Sequence, residues 1–216
     1  MDFEQARFNM IEQQIRTWNV LDQAVLELLR EIPREHFVDD SHRTLAFADF
    51  NLPLAHGQVM MQPKVEARLF QALALTNEDR VLEIGTGSGY MTALLAARAA
   101  SVTSVELFSE LSRRAGERLH AAGLAHVELA TGDGATGWPD GGPYDVIVIT
   151  GSLPHLPSAF GEALNQGGRL VAIIGEAPSM EAILYRKTDA CLHSKSLFDT
   201  HLPALVNAPE TNHFTF

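Results

Sequence analysis

The chain has 216 residues, 46% of them hydrophobic and only 20% charged, which suits a large buried core and excludes a disordered chain. Sixteen basic residues against 27 acidic ones give a formal net charge of -11, which argues against nucleic acid and against an anionic membrane surface. The single cysteine, Cys191, rules out an internal disulfide and reads as a small buried or half-buried apolar residue rather than a catalytic thiol. The segment Met1-Asp-Phe-Glu-Gln lacks the basic region and apolar stretch of a signal peptide, and no run of about 18 apolar residues is present, so a cytoplasmic location is expected.

Phe8, Ile11, Ile15 and Trp18 share one helical face, which predicts an amphipathic helix over 4–18. Asp22 can cap a second helix that turns Val25, Leu28, Leu29 and Ile32 inward and stops at Pro33. Residues 34–62 read as irregular, and a loop of that length is either functional or packed over the core. Pro63 suits the first turn of a helix carrying Val65, Leu69, Leu73 and Leu75. From residue 80 the pattern alternates, with strands expected over 80–84, 101–106, 126–130, 144–150 and 169–174 and helices over 89–99, 109–122 and 156–165. Short apolar strands alternating with helices imply a mostly parallel, doubly wound sheet covered on both faces. Gln166-Gly-Gly-Arg reads as a tight turn, and residues 181–216 as two or three further strands, antiparallel at the sheet edge. The expected fold class is therefore α/β, with residues 1–62 as an N-terminal helical extension and loop and residues 63–216 as the sheet domain, together one unit.

The most informative stretch is Val81-Leu-Glu-Ile-Gly-Thr-Gly-Ser-Gly-Tyr, a buried strand running into Gly85, Gly87 and Gly89 and then a helix. Such a turn lets a ligand approach bare backbone amides. Tyr90 stands where a dinucleotide fingerprint needs its third glycine. Glu83, just before the turn, repels a pyrophosphate but suits a cationic ligand end such as an amino-acid ammonium. Glu106 ends the second strand seventeen residues beyond Gly89, where a carboxylate can accept both ribose hydroxyls of an adenosine. Asp133, in Thr131-Gly-Asp-Gly, can accept from an adenine amino group or can simply shape an Asp-Gly turn. The turn by itself also allows a ligand-free strand–helix connection or a nicotinamide-dinucleotide fold. The nine histidines are scattered without the paired spacing of a zinc motif, so no metal is expected.

The glycine turn with Glu83 in front resembles motif I of the S-adenosylmethionine-dependent methyltransferases. Over almost its whole length the chain is similar to the protein-L-isoaspartate O-methyltransferase family. The matching segments are Met10-Ile-Glu-Gln-Gln-Ile-Arg, Ile32-Pro-Arg-Glu-His-Phe-Val, Leu52-Pro-Leu-Ala-His-Gly-Gln, the glycine-rich stretch, Gly132-Asp-Gly and Gly137-Trp-Pro. The resemblance implies a cofactor site for S-adenosyl-L-methionine made by Glu83, Gly85, Thr86, Gly87, Ser88, Gly89, Glu106, Asp133 and Gly134, with the loop 54–62 holding the acceptor near the methyl group. It also implies methylation of the free carboxylate of isoaspartyl residues in damaged proteins or peptides.

Two departures from the family pattern stand out. The loop reads Gly57-Gln-Val-Met-Met-Gln-Pro where the family has Gly-Gln-Thr-Ile-Ser-x-Pro, so Met61 takes the position of the family serine and Val59 that of the threonine. After the fourth strand the family has Ala-Ala-x-Pro in type, and this chain has Gly151-Ser-Leu-Pro. A hydroxyl can donate to a carboxylate and a thioether cannot, which points to altered or weak isoaspartyl activity. A carboxylate acceptor is ionised at neutral pH and needs no base. A phenol or amine would need one, and His56 and His155 are the candidates. Two alternatives stand beside the isoaspartyl reading: a diverged methyltransferase acting on a less polar small molecule, and a cofactor-binding module without catalysis.

Overall fold

Apolar runs bounded by glycine and proline become the strands of a seven-stranded sheet in the computed structural model, which describes residues 1–189 and 191–210. Helix α1 (Phe3–Met10) is capped by Asp2, whose side chain accepts from Gln5 N, and continues through a π-helical turn Ile11–Ile15 and a 3-10 turn Arg16–Trp18. The expected face is only partly right. Ile11 and Ile15 are buried, but Phe8 is 50% exposed and Met10 lies inside instead. A π turn bonds i to i+5, so it breaks the 3.6-residue register on which the Phe8–Ile15 reading rested. Helix α2 (Gln23–Glu31) is capped by Asp22 through Ala24 N and buries Val25, Leu28 and Leu29.

The stretch before Pro63 holds 3-10 turns and a small hairpin, β1 (Leu52–Pro53) with β2 (Val59–Met60), in which Leu52 faces Met60. Helix α3 (Pro63–Leu73) starts on Pro63 and ends at a left-handed Ala74, leaving Leu75 beyond it. Then follow β3 (Arg80–Ile84), α4 (Tyr90–Ala96), β4 (Ser101–Glu106), α5 (Ser109–Ala121), β5 (Glu128–Thr131), β6 (Tyr144–Leu153), α6 (Ser158–Glu162), β7 (Leu164–Glu176), β8 (Ser179–Thr188) and β9 (Cys191–Asp199). Helix α6 is shorter than expected because Leu164 already pairs with Tyr144 as the start of β7. The Gln166-Gly-Gly segment loops out between that pair and the next, Val146 with Arg169. Cys191 is exposed, not buried, because it opens the edge strand.

The sheet order is β5-β4-β3-β6-β7-β8-β9, parallel from β5 to β7 and antiparallel beyond. The tail expectation holds for β8 and β9, and its last part, residues 211–216, lies outside the described residues. Along β6, Val146 and Val148 enter one core and Ile147 and Ile149 the other, as a sheet covered on both faces requires. The first core also takes Met10, Ile15, Leu26 and Leu69, so the N-terminal segment and the sheet share it. The chain winds outward from β3 to β5 and then returns to place β6 on the other side of β3, and in an open α/β sheet the crevice at that switch point, outside the carboxyl ends, is where ligands bind.

Candidate active site at the carboxyl ends of the strands

Strand β3 ends in the glycine turn. Gly85 has φ +97, and a Cβ there would collide with Thr150 Oγ1, so only glycine fits. That Thr150 hydroxyl donates to the Ile84 carbonyl at 2.9 Å and to the Gly85 carbonyl at 2.5 Å, tying β6 to the turn. Glu106, 5% exposed, accepts from Gly87 N at 2.8 Å with Oε2 and from Phe108 N at 3.0 Å with Oε1. Each carboxylate oxygen keeps a second lone pair for a ligand hydroxyl. Asp133 accepts from Ala135 N at 3.0 Å, which is the turn-shaping role, and its other oxygen accepts from the Asn207 side chain at 2.9 Å.

Glu83 differs from expectation. It is fully buried and lines neither cavity described below, so it offers no open carboxylate to a ligand ammonium. Its Oε2 accepts from Thr92 at 2.5 Å and Ser104 at 2.6 Å, and Ser104 in turn meets Thr86 at 2.6 Å. The acid thus braces the glycine turn from behind. Burial pushes its pKa up to about 8, with hydrogen bonds from Ser104 and Thr92 opposing and the Glu106 charge adding to the rise.

Two cavities open on the turn. The larger, about 630 Å³, runs from Gly85 and Gly87 past Glu106, Phe108 and Gly132–Ala135 to Gly151, and Leu202, Pro203, Leu205 and Val206 close its far side. The smaller, about 260 Å³, is lined by Val59, Met60, Met61, Glu66, the turn 85–88, Met91 and Thr150. Both share Val59, Gly85, Gly87 and Thr150, so they meet at one junction beside the turn. Gly134 belongs to the larger cavity, Thr86 and Ser88 to the smaller, and Gly89 caps α4.

A buried arginine holds the loop that carries Met61. Arg34 pairs with Glu66, and it donates to the backbone carbonyls of Ala46 at 2.9 Å and of Met61. Burial lowers its pKa to about 10, and its guanidinium lies 5.0 Å from the centre of the Tyr90 ring. His56 lies on the outer side of the loop at φ +57, stacked on Phe108 at 4.4 Å and 3.1 Å from Glu110, and lines neither cavity. His155 is exposed in the loop after β6. Neither histidine faces the junction as a base would, and the geometry makes His56 a loop anchor. Arg34, Glu66, Thr150 and Asn207 were not legible as site residues. Arg34 sits inside a family-like segment, but nothing local pairs it with Glu66.

A family model described as protein-L-isoaspartate(D-aspartate) O-methyltransferase matches residues 5–207. The chain belongs to the protein-L-isoaspartate O-methyltransferase family. Among relatives carrying that family name, the chain is 42% identical to one from Rhodopseudomonas palustris over 84% of this chain and 74% of the relative. It is 41% identical to one from Pelobacter propionicus over 87% of this chain and 88% of the relative. A solved protein-L-isoaspartate O-methyltransferase superposes with TM-score 0.81 at 26% identity, covering 93% of this chain and 66% of that one. A Plasmodium falciparum protein of the same description, solved with S-adenosyl-L-homocysteine, superposes with TM-score 0.80 at 18% identity over 95% of this chain and 99% of that one, a likeness of fold. Within the protein-L-isoaspartate O-methyltransferase fold, both loop departures, Val59 and Met61, line the smaller cavity.

Proposed function

We propose that the protein transfers a methyl group from S-adenosyl-L-methionine to the free carboxylate of isoaspartyl residues in damaged proteins or peptides. The observation that carries this is the meeting of the two cavities at Gly85, Gly87, Val59 and Thr150, one suited to a nucleoside and the other to the reacting end of an acceptor. The larger cavity fits an adenosyl group by its chemistry. It presents the carboxylates of Glu106 and Asp133 as acceptors for hydroxyls and an amino group, and its other walls include Ile84, Val105, Leu111 and Leu205. None of the described residues lining it is Lys or Arg, which leaves a pyrophosphate without a cation and disfavours a dinucleotide.

The bound cofactor supplies an electrophilic methyl group on a sulfonium. Glu106 and the amides of the turn orient the nucleoside, Asp133 meets the base, and the Arg34–Glu66 pair fixes the backbone of the loop at Met61. Holding the two reactants together is the main contribution open to this site, since an acceptor carboxylate arrives ionised. A cytoplasmic site of action is part of this reading, and fractionation of a tagged chain checks it. Among the described residues no helix is long and apolar enough to cross a membrane.

The decisive assay is methyl transfer to an isoaspartyl peptide beside a matched aspartyl control, with calorimetry of S-adenosylhomocysteine and NAD. Methylation of neither peptide would refute the acceptor, and tighter binding of NAD would refute the cofactor.

A further inference from the structure

The segment after β9 takes a path that the sheet dictates. Strand β3 stops at Ile84, opposite Ile149, while β6 continues to Leu153. One edge of β6 is therefore free beyond that point, because Ser152 pairs on its other side with Ile173 of β7. Residues 202–207 fill this edge. Ser152 N donates to the Pro203 carbonyl at 3.0 Å, Leu205 N donates to the Ser152 carbonyl at 3.0 Å, and Ala204 forms a parallel bridge with Ser152. The segment thus lies in line with β3, across the mouth left by the glycine turn.

Side chains fasten it at three points. The Ser152 hydroxyl, buried, donates to the Leu202 carbonyl at 2.9 Å. Leu205 packs over Gly151, where an added Cβ would lie 2.5 Å from Leu205 Cδ2 and 2.8 Å from Cγ. Asn207 donates to Asp133 at 2.9 Å, joining the segment to the turn that follows β5. Gly151 and Ser152, expected after the fourth strand, lie within β6 and are the two positions at which this chain departs from the Ala-Ala pattern. Alanine at the first would strike Leu205, and alanine at the second would lose the bond to Leu202. Within the segment only Leu202 is buried and Leu205 half-buried, while Pro203, Ala204, Val206 and Asn207 are exposed, so few apolar contacts hold it and it can open locally.

We propose that residues 202–207 form a strap that completes the cofactor site, that Gly151 and Ser152 dock it, and that its opening limits cofactor exchange, with Asn207 positioning Asp133. This rests on the adenosyl-cofactor reading above. The test is stopped-flow binding and release of S-adenosylhomocysteine by the full chain and by Ser152→Ala, Leu205→Ala and Gly151→Ala. With the unaltered chain the observed binding rate should level off at high ligand, the plateau being the opening rate. Ser152→Ala should raise the plateau about fivefold, the effect of one ordinary hydrogen bond. Leu205→Ala and Gly151→Ala should raise it by about tenfold or more. Loss of a wall contact alone would speed release and leave the plateau where it was. Should Gly151→Ala fail to fold, the other two variants still decide.

Hydrogen exchange gives a second reading, with the Leu205 amide protected more strongly when ligand is bound. Asn207→Ala should narrow the preference for S-adenosylhomocysteine over its 6-oxo analogue, which lacks the amino group that Asp133 would meet. A binding rate that climbs linearly without a plateau, or a plateau unmoved in well-folded variants, would overturn the strap. No binding by the unaltered chain would overturn the cofactor reading itself, and the strap proposal with it.

Discussion

Glu106 offers the sharpest test because its usual conservative replacement is not conservative here. Both carboxylate oxygens accept from backbone amides, Gly87 N at 2.8 Å and Phe108 N at 3.0 Å. Glutamine has one acceptor oxygen and one NH2 group, so in Glu106→Gln the NH2 must face one of those N–H donors. One charge-assisted bond is lost at a site only 5% exposed, which costs roughly 1.5–3 kcal/mol. Glu106→Ala loses both bonds, roughly 3–6 kcal/mol by the same measure. Out of a typical total of about 5–15 kcal/mol, the alanine chain should still fold but be clearly weakened. Losing the proposed ribose contacts and the tether on Gly87 together should lower S-adenosylhomocysteine affinity by about tenfold to a hundredfold. Urea denaturation reads the stability and calorimetry the affinity. A glutamine variant matching the unaltered chain in both would refute the reasoning.

Glu83→Gln should flatten the pH dependence of stability. The folded-state pKa is raised to about 8 by burial, so the stability this group contributes is full below about 4.5 and is lost as pH rises through 8. The unaltered chain should lose on the order of a few kcal/mol across that window and the glutamine variant far less, with denaturation at several pH values deciding, and parallel curves counting against the assignment. Met61→Ser should raise kcat/KM on an isoaspartyl peptide by about tenfold, since one hydroxyl donor is restored to the smaller cavity. Truncating a methionine that is 3% exposed should meanwhile cost stability, about 2–5 kcal/mol by large-to-small precedent. A serine variant with no gain in turnover would show that the position does not limit the reaction. Arg34→Met alone should destabilise by about 3–5 kcal/mol by stranding Glu66, and pairing it with Glu66→Leu should recover part of that loss in the same denaturation experiment. Equal stability of the single and double variants would mean the pair is not coupled.

Local chemistry in the sequence determined the strand–glycine turn–helix unit, the alternating pattern that became the parallel sheet, the Asp22 cap, the Pro63 start and the residues at the strand ends. Each of these depends on a period, a cap or a φ preference that a few neighbouring residues carry by themselves. The candidate site was half legible for the same reason: Glu106 ends β4, Asp133 follows the end of β5, and strand ends converge in this topology. The tertiary structure decided the rest. A π turn rotated Phe8 to the surface, although its spacing suited the core. Glu83 stands in the motif, but its neighbours Thr92 and Ser104 come from α4 and β4 and enclose it. His56 became a loop anchor because Phe108 and Glu110 meet it from beyond β4. Arg34 finds Glu66 across 32 residues and Asn207 finds Asp133 across 74. No periodicity encodes such partners, because a side chain's burial and charge state are set by whatever the folded chain brings against it, and that is known only once the sheet order is in place.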